Sequence, residues 1–338
     1  MPQLDVDVVI NLRARRGSDA VAKKVQRELP QARVLTSRSL EEASRFARRH
    51  DSGRSSLLLS AGGDGTAVAL LNEIRVERGA VPTLGVLPLG TGNGWAHATG
   101  APAWRTALEQ LGGLLRHERP VPMRRFELVQ IDLPGLPSRV AHFAGTGWDA
   151  EIINDFHAQR DGGGGFLPRA WRSGLAGYMH GLVLHTIPRH LGADIPEVEI
   201  TNLGADALTV DELGRPAPLD RGAVVYRGPA NVCAAGTSES WGFGFRAFPF
   251  AGLVPGRFCL RVYAGSTTTA VLAARRLWRG AHPQPEMHTF LLDRCRCVFS
   301  RPVALQIGGD GLGLRTEVEY SLARGKVDLL DWRRLAVA

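Results

Sequence analysis

A chain of 338 residues, 44% hydrophobic and 22% charged, has globular composition, which excludes global disorder; at roughly 100–200 residues per domain it predicts two domains. Its 41 Lys and Arg against 33 Asp and Glu leave a net charge of +8, which suits phosphate-rich or anionic-lipid partners. No run approaches the roughly 18 apolar residues of a membrane-spanning helix, and Asp5 and Asp7 break the first apolar stretch, so neither a transmembrane segment nor a secretory leader is expected. Cys233, Cys259, Cys295 and Cys297 contain no CxxC pair and read as reduced, half-buried thiols of a cytoplasmic protein.

In chain order, Val6–Asn11 reads as a buried strand, Asp19–Leu29 as a helix and Ala32–Thr36 as a short strand. Ser39 with Glu42 forms a capping-box pattern for a helix running to about His50. Ser56–Ser60 is a strand that runs into Gly-Gly-Asp-Gly-Thr, followed by a helix over 67–78. Leu84–Leu87 is another strand, followed by Gly-Thr-Gly-Asn. This alternation predicts a Rossmann-like α/β domain over 1–120 with a parallel sheet. From Val121 the pattern becomes strands separated by Gly and Pro: Phe126–Ile131, Arg139–Phe143, Val198–Thr201, Ala223–Tyr226, Phe258–Val262, Cys295–Ser300 and Val303–Ile307. An antiparallel β-sandwich over 121–310 is expected, with a helical insertion at 168–187. Strands at 311–338 follow, with the option of returning to the first domain.

Two glycine-rich turns follow two of the predicted strands, Ala61-Gly-Gly-Asp-Gly-Thr66 and Pro88-Leu-Gly-Thr-Gly-Asn-Gly94. Ligands of open α/β sheets bind outside the carboxyl ends of the strands, where both turns fall. Glycine lets the backbone approach a ligand closely, and its exposed N–H groups can cradle phosphate oxygens. Neither turn is a Walker A loop. The basic residues are dispersed and no nucleic-acid motif is present, so no nucleic-acid partner is expected.

The order of these motifs resembles the diacylglycerol kinase catalytic-domain family of bacterial lipid, sphingosine and ceramide kinases, and more distantly NAD kinases. Gly62–Thr66 is similar to its GGDGT and Pro88–Asn93 to its PLGTGN. Asn11–Gly17 stands where that family has a nucleotide loop, Gly145–Ala150 resembles its GxGxDA segment, and Gln306–Asp310 resembles its Gln-Val-Asp-Gly-Glu. Gly174–Tyr178 is similar to its Gly-x-x-x-Tyr helix.

The resemblance implies an ATP- and Mg²⁺-dependent kinase that phosphorylates the hydroxyl of a lipid such as diacylglycerol, ceramide or a sphingoid base. It implies a cleft between the two domains, with Asn11, Arg13 and Thr36 near base and ribose. Gly62, Gly63, Gly65, Thr66, Gly90, Thr91 and Asn93 would hold phosphates. Asp64 is the first candidate for the carboxylate that takes the acceptor proton, Asp310 the second, and Asp149 the contact to the lipid head group. No metal ligand is assigned. The enzyme would work peripherally at the anionic inner face of the membrane, and a homodimer is compatible with this reading. Three departures touch the motifs: Gly308 and Asp310 stand where the family has Asp and Glu, Ala69 where it has Glu, and Gly94 where it has Asp. They leave two alternatives, an NAD-kinase-like enzyme with a soluble substrate and a catalytically weak nucleotide- or lipid-binding protein. The aromatic run Trp241–Phe250 reads either as sandwich core or as an acyl-chain or bilayer contact.

Overall fold

The computed structural model describes residues 4–14, 16–49, 56–78, 82–161, 180, 186–219 and 224–336. The predicted insertion at 168–187 and its Gly174–Tyr178 segment fall almost wholly outside the described residues. The chain divides into two compact units, Met1–Glu127 with Arg324–Ala338, and Leu128–Ala323.

The first unit opens β1 (Asp5–Asn11), α1 (Asp19–Glu28), β2 (Arg33–Ser37), α2 (Leu40–Ala47), β3 (Ser56–Gly62), α3 (Asp64–Arg78), β4 (Thr83–Pro88), α4 (Gly94–Ala98), α5 (Trp104–Arg116) and β5 (Met123–Phe126). All seven residues of β3 are buried, as a central strand covered on both faces requires. Asp7 lies in a buried strand because Arg33, directly opposite on β2, grips both its oxygens at 2.7 and 2.6 Å. Ser39 caps α2 by accepting from Glu42 N at 3.2 Å, while the Glu42 carboxylate reaches Arg38 N rather than Ser39 N. The capping box is therefore displaced by one residue.

The second unit contributes β6 (Val129–Asp132), β7 (Arg139–Ala141), β8 (Phe143–Gly147), α6 (Trp148–Asp161), α7 (Ile187–His190), β9 (Glu197–Asn202), β10 (Leu208–Val210), β11 (Pro216–Pro218), β12 (Val224–Pro229), β13 (Val232–Gly236), β14 (Phe258–Tyr263), α8 (Thr267–Leu272), α9 (Ala274–Trp278), β15 (Met287–Leu292), β16 (Arg294–Ile307) and β17 (Asp310–Leu322). The chain then returns to the first unit as β18 (Val327–Leu330) and α10 (Trp332–Leu335).

The first sheet has the order β2-β1-β3-β4-β18-β5, with β18 parallel to β4 and antiparallel to β5. Its core joins Val8, Ile10, Leu57 and Leu59 to Val21 and Val25 of α1, Leu108 and Leu111 of α5, and Trp332 of α10. The unit boundary is thus at 127 rather than 120, because β5 pairs with β18, and the return is at 324 rather than 311, because β17 belongs to the second sheet.

Hydrogen bonding links the strands of the second unit into one continuous antiparallel sheet of 12 strands. The long strand β16 creates this continuity. Cys295–Phe299 pair with β9, whereas Leu305–Ile307 pair with β8, across an irregularity between Val298 and Val303 that contains Pro302. The two predicted strands there are a single bent one. The four cysteines are fully buried rather than half-buried, with the Cys233 and Cys297 sulfurs 3.9 Å apart. Of the aromatic run, Phe248 is buried with Phe143, Cys259 and Leu291, whereas Trp241, Phe245 and Phe250 are half-buried and pack against it, Trp241 stacking on Phe245.

Candidate active site

Strands β3 and β4 are parallel neighbours with Gly62 opposite Pro88, so their two glycine loops emerge side by side. The loops are bonded to each other, because Gly62 O accepts from Leu89 N at 3.1 Å and from Gly90 N at 2.9 Å. They also touch through bare backbone. A Cβ on Gly90 would stand 2.3 Å from Gly63 Cα, closer than any side chain permits.

Helix α3 begins at Asp64, three residues before the expected start at Ala67. Gly63 O accepts from Ala67 N at 3.2 Å, so Asp64, Gly65 and Thr66 form the first helical turn. Amides of a first turn have no carbonyl partner within the helix and carry its positive end. Gly63, Gly65, Thr66, Thr91 and Gly92 remain partly exposed, which keeps the loop backbone within reach of an anion.

Asp64 is buried and uses both oxygens. Oδ2 accepts from Gly94 N at 2.7 Å and Oδ1 from Trp95 N at 3.0 Å. It therefore caps α4, the helix of the other loop, as well as opening α3. Burial pushes its carboxyl above the ordinary value against the opposing pull of the Trp95 and Gly94 amides. The candidate base is thus a clamp between the two loops. Gly94 and Trp95 were not among the predicted site residues. Their one sequence signal is that a buried acid in a glycine loop demands N–H donors.

The remaining predicted residues of this unit gather around the clamp. Asn93 takes the left-handed conformation (φ 53°) and donates from Nδ2 to Gly90 O at 3.0 Å. Its buried Oδ1 has no hydrogen-bond partner among the described residues. Asn11, at the end of β1, donates from Nδ2 to Thr66 Oγ1 at 2.9 Å and accepts at Oδ1 from Arg13 N at 2.8 Å. Thr36 is exposed on β2 opposite Ile10, and the Arg13 residue is exposed.

Asp149 and Asp310 belong to the second unit. Asp149 lies in the first turn of α6, buried, with Oδ2 accepting from Gln306 Nε2 at 2.8 Å. Its Oδ1 is buried without a hydrogen-bond partner among the described residues. Burial drives this carboxyl well above the ordinary range, opposed by the Gln306 bond. Gly145 must be glycine, since a Cβ there would stand 2.3 Å from Asp149 Oδ2. Gln306 also accepts at Oε1 from Gly309 N at 2.9 Å, so one fully buried amide ties the acid to the β16–β17 turn. In that turn Gly308 (φ 58°) and Gly309 (φ 94°) both have positive φ between the paired Ile307 and Asp310. A two-residue hairpin of this kind accepts Gly-Gly as readily as Asp-Gly, so the departure at 308 preserves the turn. Asp310 is exposed at the start of β17.

Residues 6–125 match the family model "Diacylglycerol kinase catalytic domain". No curated protein matches the chain. Among solved structures, the chain is similar to a provisionally assigned diacylglycerol kinase of Bacillus anthracis str. Sterne, with 14% identity, 98% of each chain covered and a TM-score of 0.65. It is also similar to an NAD kinase from Archaeoglobus fulgidus in complex with ATP, with 12% identity, 98% and 96% coverage and a TM-score of 0.50. At such identities the likeness is one of fold: a parallel-sheet α/β domain followed by an antiparallel β domain. The matched stretch, similar to the diacylglycerol kinase catalytic domain, spans both interlocked glycine loops.

Proposed function

We propose that this chain is an ATP-dependent lipid kinase that transfers the γ-phosphate to the hydroxyl of a lipid such as diacylglycerol, ceramide or a sphingoid base. The observation that carries the reading is the bonded pair of glycine loops at the first turn of α3, inside a domain matched by the diacylglycerol kinase catalytic model. Phosphoryl transfer asks a protein mainly to position the phosphates and neutralise their charge. First-turn amides, which lack a carbonyl partner within the helix, and closely packed glycine backbone suit that task. Gly62, Gly63, Gly65, Thr66, Gly90, Thr91 and Asn93 would hold the phosphates, with Asn11, Arg13 and Thr36 toward base and ribose.

Among the described residues no three His, Cys, Asp or Glu side chains form a metal cage. Mg²⁺ would be held chiefly by the nucleotide phosphates and water, as this ion prefers, and would supply charge neutralisation. Asp64 is proposed to keep the loops in register for transfer. Asp310, exposed at the start of β17, is proposed beside Asp64 as a candidate base, and Asp149 as the contact to the acceptor head group. Because the Asp149 carboxyl is held toward its neutral form by burial, it is suited to donate a hydrogen bond to that head group.

The test offers γ-labelled ATP and Mg²⁺ with diacylglycerol, ceramide, sphingosine or NAD separately, the lipids in mixed micelles. Label on a lipid, lost in Asp310→Asn, supports the reading. Label on NAD alone transfers the assignment to a soluble-substrate kinase, and label on none of them refutes it.

A further inference from the structure

The stretch from Arg257 to Pro285 contains five arginines and no Asp or Glu; Arg261 is buried and Arg257 is paired with Asp293, which leaves Arg275, Arg276 and Arg279 at the surface. Within it, Ser266 caps α8 by accepting from Thr269 N at 3.2 Å, and α9 follows after a single residue. Ala270, Ala273, Leu277 and Trp278 are half-buried, and Phe245 and the Arg246 amide hold Trp278 from the aromatic loop, the latter donating to Trp278 O at 3.0 Å. The opposite side presents apolar surface to water. Val271 is 50% exposed and Leu272 is 83% exposed.

Arg275 and Arg276 lie on α9 and Arg279 directly follows it, and all three are exposed. Among the described residues Arg276 hydrogen-bonds neutral groups, Gln284 Oε1 at 3.2 Å and Pro283 O at 2.9 Å. Two further exposed leucines border this region. Leu213 (74% exposed) sits in the turn whose Asp211 carbonyl bonds His282, and Leu253 (45% exposed) follows Phe250, whose ring meets that of His282 at 4.9 Å. Of the nearby acids, Asp211 and Glu239 are each paired with an arginine, Arg215 and Arg246, while exposed Glu286 lines one pocket with Leu272 and Arg276.

We infer that the α8–α9 segment is a docking surface for an anionic phospholipid bilayer, with Val271 and Leu272 entering the headgroup–acyl boundary and Arg275, Arg276 and Arg279 meeting lipid phosphates. Apolar side chains flanked by exposed arginines fit that boundary, and anionic lipid attracts each nearby Arg. The inference takes its purpose from the lipid-acceptor reading, but its test needs no turnover.

The test is co-sedimentation of the full chain with phosphatidylcholine vesicles, with and without phosphatidylserine. Binding is expected only with phosphatidylserine, and it should weaken with salt. One basic residue near such a surface contributes about fivefold, so Arg275→Gln with Arg279→Gln should weaken binding roughly 25-fold. Val271→Ser with Leu272→Ser should weaken it at least about tenfold. Wild-type protein that ignores phosphatidylserine vesicles, or double variants that both bind like wild type, overturn the inference. Turnover of a water-soluble short-chain diacylglycerol, measured without vesicles, separates the two ideas. Docking variants should retain that turnover, whereas docking without any turnover leaves the surface standing and removes the kinase.

Discussion

Replacing Asp64 by Asn exchanges one oxygen for an NH₂ at a carboxylate whose two oxygens receive amides at 2.7 and 3.0 Å. Either orientation of the amide keeps one of these bonds, now without its charge, and sets a donor against the other N–H. Losing a hydrogen bond to a charged group costs about 1.5–3 kcal/mol, and the stranded donor about 1–3 more. Relief of the desolvation that raises the Asp64 carboxyl works in the opposite direction. We take a net loss of about 3 kcal/mol, which for a unit of this size lowers its thermal midpoint by roughly 10 °C. The assay is a thermal scan of Asp64→Asn beside wild type, with ATP affinity and transfer measured well below both midpoints. The clamp predicts a lower midpoint together with weaker ATP binding. An unchanged midpoint and ATP affinity with transfer reduced a hundredfold or more would refute the clamp and restore Asp64 as the base.

Gly90→Ala should separate the loops, because its Cβ meets Gly63 Cα at 2.3 Å and no flexible side chain can yield; ATP affinity by calorimetry should fall at least tenfold, and wild-type affinity would remove the close approach from the argument. Asp149 binds its proton more tightly folded than unfolded, since burial raises its pKa. Stability should therefore fall as pH rises from the ordinary carboxylate range through the raised value. Asp149→Asn keeps an oxygen for Gln306 and should flatten that slope and stabilise the protein at neutral pH, as read from denaturation midpoints across pH; an undiminished slope would assign it to another group. In the β16–β17 turn, Gly308→Asn should change stability by less than about 1 kcal/mol, because Asn tolerates positive φ. Gly309→Val should cost more than about 1 kcal/mol there, and equal chemical-denaturation midpoints for the two variants would contradict the turn assignment.

The sequence by itself determined the alternating strands and helices of the first unit and the position of both glycine loops. Apolar runs bounded by glycine report a buried parallel strand directly, as β3 shows with every residue buried. It also led to the expectation of a nucleotide-type site at those strand ends. It did not reveal α5, whose buried stripe of Ala107, Leu108, Leu111 and Leu114 becomes a core only against the sheet. Nor did it reveal that Cys295–Ser300 and Val303–Ile307 are one strand, since Pro302 reads as a break until β8 and β9 pair with its two halves. The hydrogen-bond partners of the acids were decided by tertiary structure alone. Asp64 finds its donors 30 and 31 residues away, and Asp149 meets Gln306 across 157 residues. Local sequence encodes backbone preference and burial, but a carboxylate's work depends on which N–H groups the folded chain brings to its oxygens.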